Sequence, residues 1–238
     1  MESLESLRRI NLEPVKGDIA RRMIHLNLDA GSDRALRILC LGAHSDDIEI
    51  GCGGTILELA KRYPNSEFQW AVFSAIGLRE TEARRAAEMF VGPRLKEPVL
   101  KNFPDGFMPF VGADVKTVFE KELKQFSPDL IFTHNRKDAH QDHRLLSELT
   151  WNTFRDQLIL EYEIPKYDGD LGRPSVFVPL HPDVYQSKVR FIMEAFQSQH
   201  PKRWFDEETF LALMRLRGME CNAPSGYAEA FYCRKLLL

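Results

Sequence analysis

From Leu36 to Asp156, short apolar runs alternate with stretches of helical pattern, and this alternation narrows the fold more than any other feature of the chain. Leu36-Arg-Ile-Leu-Cys-Leu-Gly42, Phe68-Gln-Trp-Ala-Val-Phe-Ser74 and Asp129-Leu-Ile-Phe-Thr133 are rich enough in branched and aromatic residues to read as buried strands. Pro98 to Lys101 reads as a shorter one. Helices are expected over about Ile48–Tyr63, stopped by Pro64-Asn65, and over Glu80–Phe90, closed by Gly92-Pro93. Two more are expected over Ala113–Phe126 and Asp142–Asp156. Strands and helices in this order build βαβ units, whose right-handed crossovers place helices on both faces of a parallel sheet. The expected fold is therefore a single Rossmann-like α/β domain with a mostly parallel sheet and its active site at the C-terminal ends of the strands. After Leu158 the pattern loosens. Val176–Val178 and Ala228–Cys233 read as strands there, and Asp183–Gln199 and Glu207–Arg217 as helices.

The chain has 238 residues, enough for one substantial domain. Residues 1–34 read as an N-terminal leader or arm, in which Leu4, Leu7 and Ile10 recur at three-residue spacing, and residues 35–238 as the domain. A net charge of -3 without a basic run points away from nucleic acid. No apolar stretch approaches the roughly 18 residues of a membrane span. The charged N-terminus has no apolar core of a secretory signal. Cys40, Cys52, Cys221 and Cys233 show no C-x-x-C spacing and read as free thiols in a reducing compartment, so a cytoplasmic location is expected.

Chemistry concentrates in two segments, Ala43-His-Ser-Asp-Asp-Ile-Glu-Ile-Gly-Cys-Gly-Gly-Thr55 and Asp138-Ala-His-Gln-Asp-His-Arg144. Each follows the C-terminal end of a predicted strand, where ligands bind in open α/β sheets, so the two should meet in one cleft. His44 and Asp47 stand three apart, as do His140 and His143, and either pair can turn to one side. Two histidines and a carboxylate suffice for a divalent metal with one coordination position open, and a carboxylate and a histidine remain beside it. Of His140 and His143, one can bind the metal while the other faces the substrate. Asp138 and Asp142 can orient imidazoles by accepting the second ring hydrogen. Gly51-x-Gly53-Gly54 does not match the dinucleotide fingerprint, and these glycines fall inside the expected helix.

The two segments together resemble the PIG-L/LmbE family of zinc-dependent N-acetylglucosaminyl deacetylases. Arg79-Glu-Thr-Glu82, Pro104-Asp-Gly106, Arg217-Gly218 and Ala228-Glu-Ala-Phe231 resemble further family segments, so the likeness covers most of the chain beyond the leader. It implies zinc on His44, Asp47 and His143, Asp46 as general base, and His140 polarising the carbonyl and serving the leaving amine. Asp138 is then the outer partner of an imidazole, while Arg79 and Asp105 are candidates for substrate hydroxyls or phosphate. Ser45 and Gln141 stand where the family usually has proline, which bears on loop rigidity rather than on the ligands. The implied function is removal of the N-acetyl group from an amino sugar, free or in a sugar nucleotide or glycoconjugate, releasing acetate. A zinc amidase acting on a non-sugar or thiol-conjugate amide, or a non-catalytic metal- or sugar-binding protein, would use the same residues. Ferrous iron also suits two histidines and a carboxylate. The leader and the resemblance hint at a homo-oligomer.

Overall fold

The computed structural model describes Leu28 and residues 34–237, so the leader positions Leu4, Leu7 and Ile10 lie outside the described residues. The alternation of the sequence becomes β1 (Arg37–His44), α1 (Asp47–Arg62), β2 (Glu67–Ser74), α2 (Leu78–Val91) and the two-residue β3 (Val99–Leu100). It continues as α3 (Gly112–Val118), β4 (Leu130–His134), α4 (Gln141–Thr153) and β5 (Leu158–Tyr162). The remainder is β6 (Val176–Pro179), α5 (Pro182–Ala195), α6 (Glu207–Glu220) and β7 (Ala228–Cys233).

One seven-stranded sheet has the order β3-β2-β1-β4-β5-β7-β6. Its first five strands are parallel, while β7 runs antiparallel to both β5 and β6. The chain winds outward from β1 to β3 and then returns to β4 on the other side of β1. That reversal opens a crevice at the carboxyl ends of β1 and β4, the place where α/β sheets bind ligands. Both faces of the sheet are covered. On one, Ile48 and Ile56 of α1, Ala83 of α2, Val189 of α5 and Phe210 of α6 pack on Ile38, Trp70 and Phe132. On the other, Val115 of α3 and Leu146 of α4 pack on Leu39, Phe73 and Ile131.

Two elements depart from the sequence pattern. The helix expected to Phe126 is α-helical only to Val118, then makes a π turn over Phe119–Leu123 and a 3-10 turn over Lys124–Phe126. Strand β5 was not expected at all, because Glu161 interrupts its apolar run and Glu163 follows directly after it. Both are buried, and both are paired with arginines far away in sequence, Glu161 with Arg234 and Glu163 with Arg217.

Helix α1 is held from behind by the C-terminal part of the chain. A Cβ on Gly51 would overlap the buried ring of Tyr162, so glycine lets α1 lie close on β5. Glu229 accepts the Gly54 and Thr55 N–H groups at 2.8 and 2.6 Å. Lys188 donates to Glu229 at 2.6 Å and to the Ile50 carbonyl at 2.7 Å. The glycines of the first motif thus serve packing of the helix that carries Asp47, not phosphate binding.

Candidate active site

His44 is the last residue of β1, Asp46 caps α1 and Asp47 begins it. His140 caps α4, its Nδ1 accepting the Asp142 N–H at 3.3 Å, and His143 lies in the first turn. Since β1 and β4 are parallel neighbours, both segments leave the sheet at the same edge and their side chains meet. His44 Nδ1, Asp47 Oδ2 and His143 Nε2 form a triangle with edges of 3.2, 3.3 and 3.5 Å. The rings of His44 and His140 are 4.9 Å apart, and those of His140 and His143 4.6 Å.

Proton positions follow from the partners. His143 Nδ1 lies 3.0 Å from Asp138 Oδ2, and a carboxylate only accepts, so Nδ1 carries the hydrogen and Nε2 offers a lone pair. His44 Nε2 lies 3.0 Å from Asp105 Oδ1 and 3.4 Å from Asp142 Oδ2, which leaves Nδ1 as the nitrogen turned toward Asp47 and His143. Asp47 Oδ2 already accepts the His44 backbone N–H at 2.7 Å. Three atoms that can each give a lone pair to a cation therefore converge, once a bound ion has displaced the proton that the surrounding carboxylates favour on His44. For bonds of the length zinc makes to nitrogen and oxygen, a tetrahedral ion separates its ligand atoms by about 3.3 Å. The triangle has that size, and two imidazoles with one carboxylate are a donor set for zinc or ferrous iron.

The charges around the triangle pull in opposite senses. Burial works against ionised Asp47, but His143, His134 and His44 outweigh it and hold its carboxyl well below the usual range. Burial likewise opposes a charged His44, yet Asp47, Asp105 and Asp142 hold that imidazole well above its ordinary value. Asp46 is different. Burial pushes its carboxyl up and Asp47 adds to this, while Arg79 only partly offsets it. Far from being left free, Asp46 Oδ1 receives Arg79 at 2.7 Å, and Arg79 also reaches Glu82 at 3.1 Å. His140 is lowered by burial and by the neighbouring His143 and His44.

Outer contacts fix these groups. Asp142, expected to orient an imidazole, mainly holds the loop after β3, accepting the Gly106 and Met108 N–H groups at 2.7 and 3.2 Å. That loop carries the exposed Asp105. Gln141, in place of the family's proline, donates to the Gly106 carbonyl at 2.5 Å and ties the same loop to α4. His134 is fully buried and stacks on His143 with centroids 3.8 Å apart. Its Nε2 accepts the Ala43 N–H at 3.0 Å and lies 3.2 Å from Asp47 Oδ2, and burial lowers its pKa to about 4, so the ring is neutral and stands with Asp47 and His143 in a second group spaced to hold a metal. Sequence reasoning missed Lys166, which reaches Asp138 Oδ2 at 3.0 Å from the loop after β5. No local signal marks it, because it lies where the pattern loosens.

With the geometry in place, the comparisons fall into line. The family model for PIG-L, described as GlcNAc-PI de-N-acetylase, matches residues 39–154, the segment from β1 to the end of α4. This segment is similar to the PIG-L family of deacetylases, hydrolases that act on amide bonds. An uncharacterized deacetylase of Escherichia coli strain K12, YaiS, is 27% identical over 164 residues, covering 63% of this chain and 80% of its own. Among solved structures, the N,N'-diacetylchitobiose deacetylase of Pyrococcus horikoshii matches with a TM-score of 0.66 at 21% identity, covering 84% of each chain. GalB, the 4-carboxy-2-hydroxymuconate hydratase of Pseudomonas putida KT2440, matches with a TM-score of 0.66 at 18% identity, covering 85% of this chain and 98% of its own. These two likenesses are likenesses of fold.

Proposed function

We propose that this protein is a zinc-dependent N-deacetylase that removes the acetyl group from an N-acetylated amino sugar, free or within a sugar nucleotide or glycoconjugate. The observation that carries the reading is the triangle of His44, Asp47 and His143 with a second carboxylate, Asp46, directly beside it in the chain. A divalent ion held by these three residues would supply Lewis acidity toward water and toward an amide carbonyl. Asp46, its carboxyl raised by burial, takes the proton as water attacks and returns it to the departing amine nitrogen. Arg79 keeps that carboxylate fixed while offsetting part of its burial.

The His140 Nδ1 is occupied by the Asp142 N–H, so the neutral ring presents Nε2–H as its free donor, suited to the oxyanion that develops on the carbonyl. Asp138 orients His143 by accepting its Nδ1–H. Asp105, exposed on the loop beside His44, is placed to meet sugar hydroxyls at the mouth. Three buried free cysteines support a reducing, cytoplasmic setting, and among the described residues no helix is long and apolar enough to cross a membrane.

Acetate release from a panel of N-acetylated sugars, sugar nucleotides and a thiol-conjugate amide tests the substrate. Inactivity on every sugar with turnover of the conjugate would replace the sugar by the non-sugar amide. Acetate as the product also separates hydrolysis from the hydration that GalB performs on this fold. Asp46→Asn is expected to retain one equivalent of metal and to lose about 10²–10⁴-fold in kcat. A variant that lost its metal and kept its turnover would refute Asp46 as the base.

A further inference from the structure

Asp138 stands between the metal triangle and a part of the chain that the family match does not include. Its buried carboxylate accepts three hydrogen bonds. Oδ1 takes the His140 backbone N–H at 2.8 Å, and Oδ2 takes His143 Nδ1–H at 3.0 Å and Lys166 Nζ at 3.0 Å. Lys166 in turn contacts both oxygens of Asp170 at 2.6 Å, and Asp170 Oδ2 accepts the Ala139 N–H at 2.6 Å. The loop between β5 and β6 therefore grips the Asp138–His140 turn at two adjacent points, the Asp138 carboxylate and the next backbone amide. Lys166 and Asp170 are themselves largely buried, with side-chain exposures of 12% and 15%, so the grip is not a loose surface contact.

We infer that Lys166 is a positioning residue for the metal centre, acting through Asp138 to aim the Nε2 atom of His143 at the ion. The inference rests on the metal-centre reading above. Its physical basis is that Asp138 can hold the imidazole in one orientation only if its own carboxylate cannot swing. His140 N–H anchors one oxygen, and without Lys166 the other has only the imidazole it is meant to orient. An outer partner of a metal-ligating histidine is commonly worth 10–100-fold in metal affinity. A lysine delivers that hold as a point charge, so arginine, with the same charge on a larger planar head, should restore part of it.

The test measures zinc affinity of the full chain by competition with a chromophoric chelator, without substrate. Lys166→Met is expected to weaken zinc binding by about 10–100-fold, Asp170→Asn by less, and Lys166→Arg to recover part of the loss. Thermal unfolding of the metal-free proteins runs alongside, because a merely structural lysine would lower the midpoint and leave the affinity of the folded protein alone. Wild-type affinity in Lys166→Met, or in Asp170→Asn and Lys166→Arg together should the methionine variant not fold, would overturn the inference. Wild-type affinity in His143→Ala would instead overturn the metal-centre reading beneath it.

Discussion

Two clusters of buried charge lie on opposite flanks of α1, and they are built on opposite terms. Behind the helix, Lys188 and Glu229 are each 3% exposed and satisfy one another, with the Ile50 carbonyl and the Gly54 and Thr55 N–H groups taking up the remaining contacts. Glu163 and Arg217 do the same nearby, aided by Gly172 and Tyr232. At the carboxyl ends of β1 and β4, by contrast, a ring nitrogen each of His44 and His143 and an oxygen of Asp47 lie within 3.5 Å of one another, the set we propose to be completed by a cation. Equal burial thus serves two purposes. A closed set of partners fixes backbone, whereas an open set waits for a ligand.

That contrast can be broken from either side. The largest effect is expected from His143→Ala, which removes one corner of the triangle. Metal content should fall from one equivalent towards zero and acetate release should vanish with it. A variant retaining a full equivalent would mean that the ligand set is another one. Lys188→Met should leave Glu229 buried without its cation and cost about 3–5 kcal/mol in urea unfolding, with metal stoichiometry preserved in the folded fraction. A loss near zero would place Lys188 among ornaments rather than supports. The smallest change is expected for Glu220→Gln. Glu220 bonds Arg217 at 2.8 Å but is 42% exposed, and solvent screening limits such a pair to less than about 1 kcal/mol. A large loss there would show that the closed cluster extends to the surface.

The same contrast explains what could be read from the sequence. Most of the parallel half of the sheet was legible because β1, β2 and β4 are each dominated by apolar residues, with only single polar ones such as Arg37 and Gln69 among them. The five polar groups proposed for the site stood out in the sequence because they fall in two short segments, within each of which they are three or fewer residues apart. Two short segments on neighbouring strands then had to meet. The antiparallel strands β6 and β7 were legible too, whereas β5, the last of the parallel strands, was not. Glu161 in β5 and Glu163 just beyond it look like solvent-facing residues until Arg234 and Arg217 meet them from far along the chain (Arg217 sits 54 positions from Glu163). Lys166 was hidden for a related reason, since its partner Asp138 lies 28 residues away and no periodicity connects them. Asp46 was recognisable as the spare carboxylate, but not its clasp by Arg79, which depends on how α2 starts beside α1. Local pattern reports which side chains share an element. Pairing across the sheet is set by topology, which no window of sequence contains.

The hold of the C-terminal strand on α1 has a consequence for the order in which the protein is made. Both motifs lie within residues 39–154, so a growing chain has spelled out all five polar groups by the time α4 is synthesised. A fragment ending there would still lack β5, with the Tyr162 ring that seats Gly51 and the hydroxyl that donates to the Leu41 carbonyl at 2.5 Å. It would lack Lys188 and Glu229 as well. The reacting groups are therefore written first and the frame that aims them is delivered last.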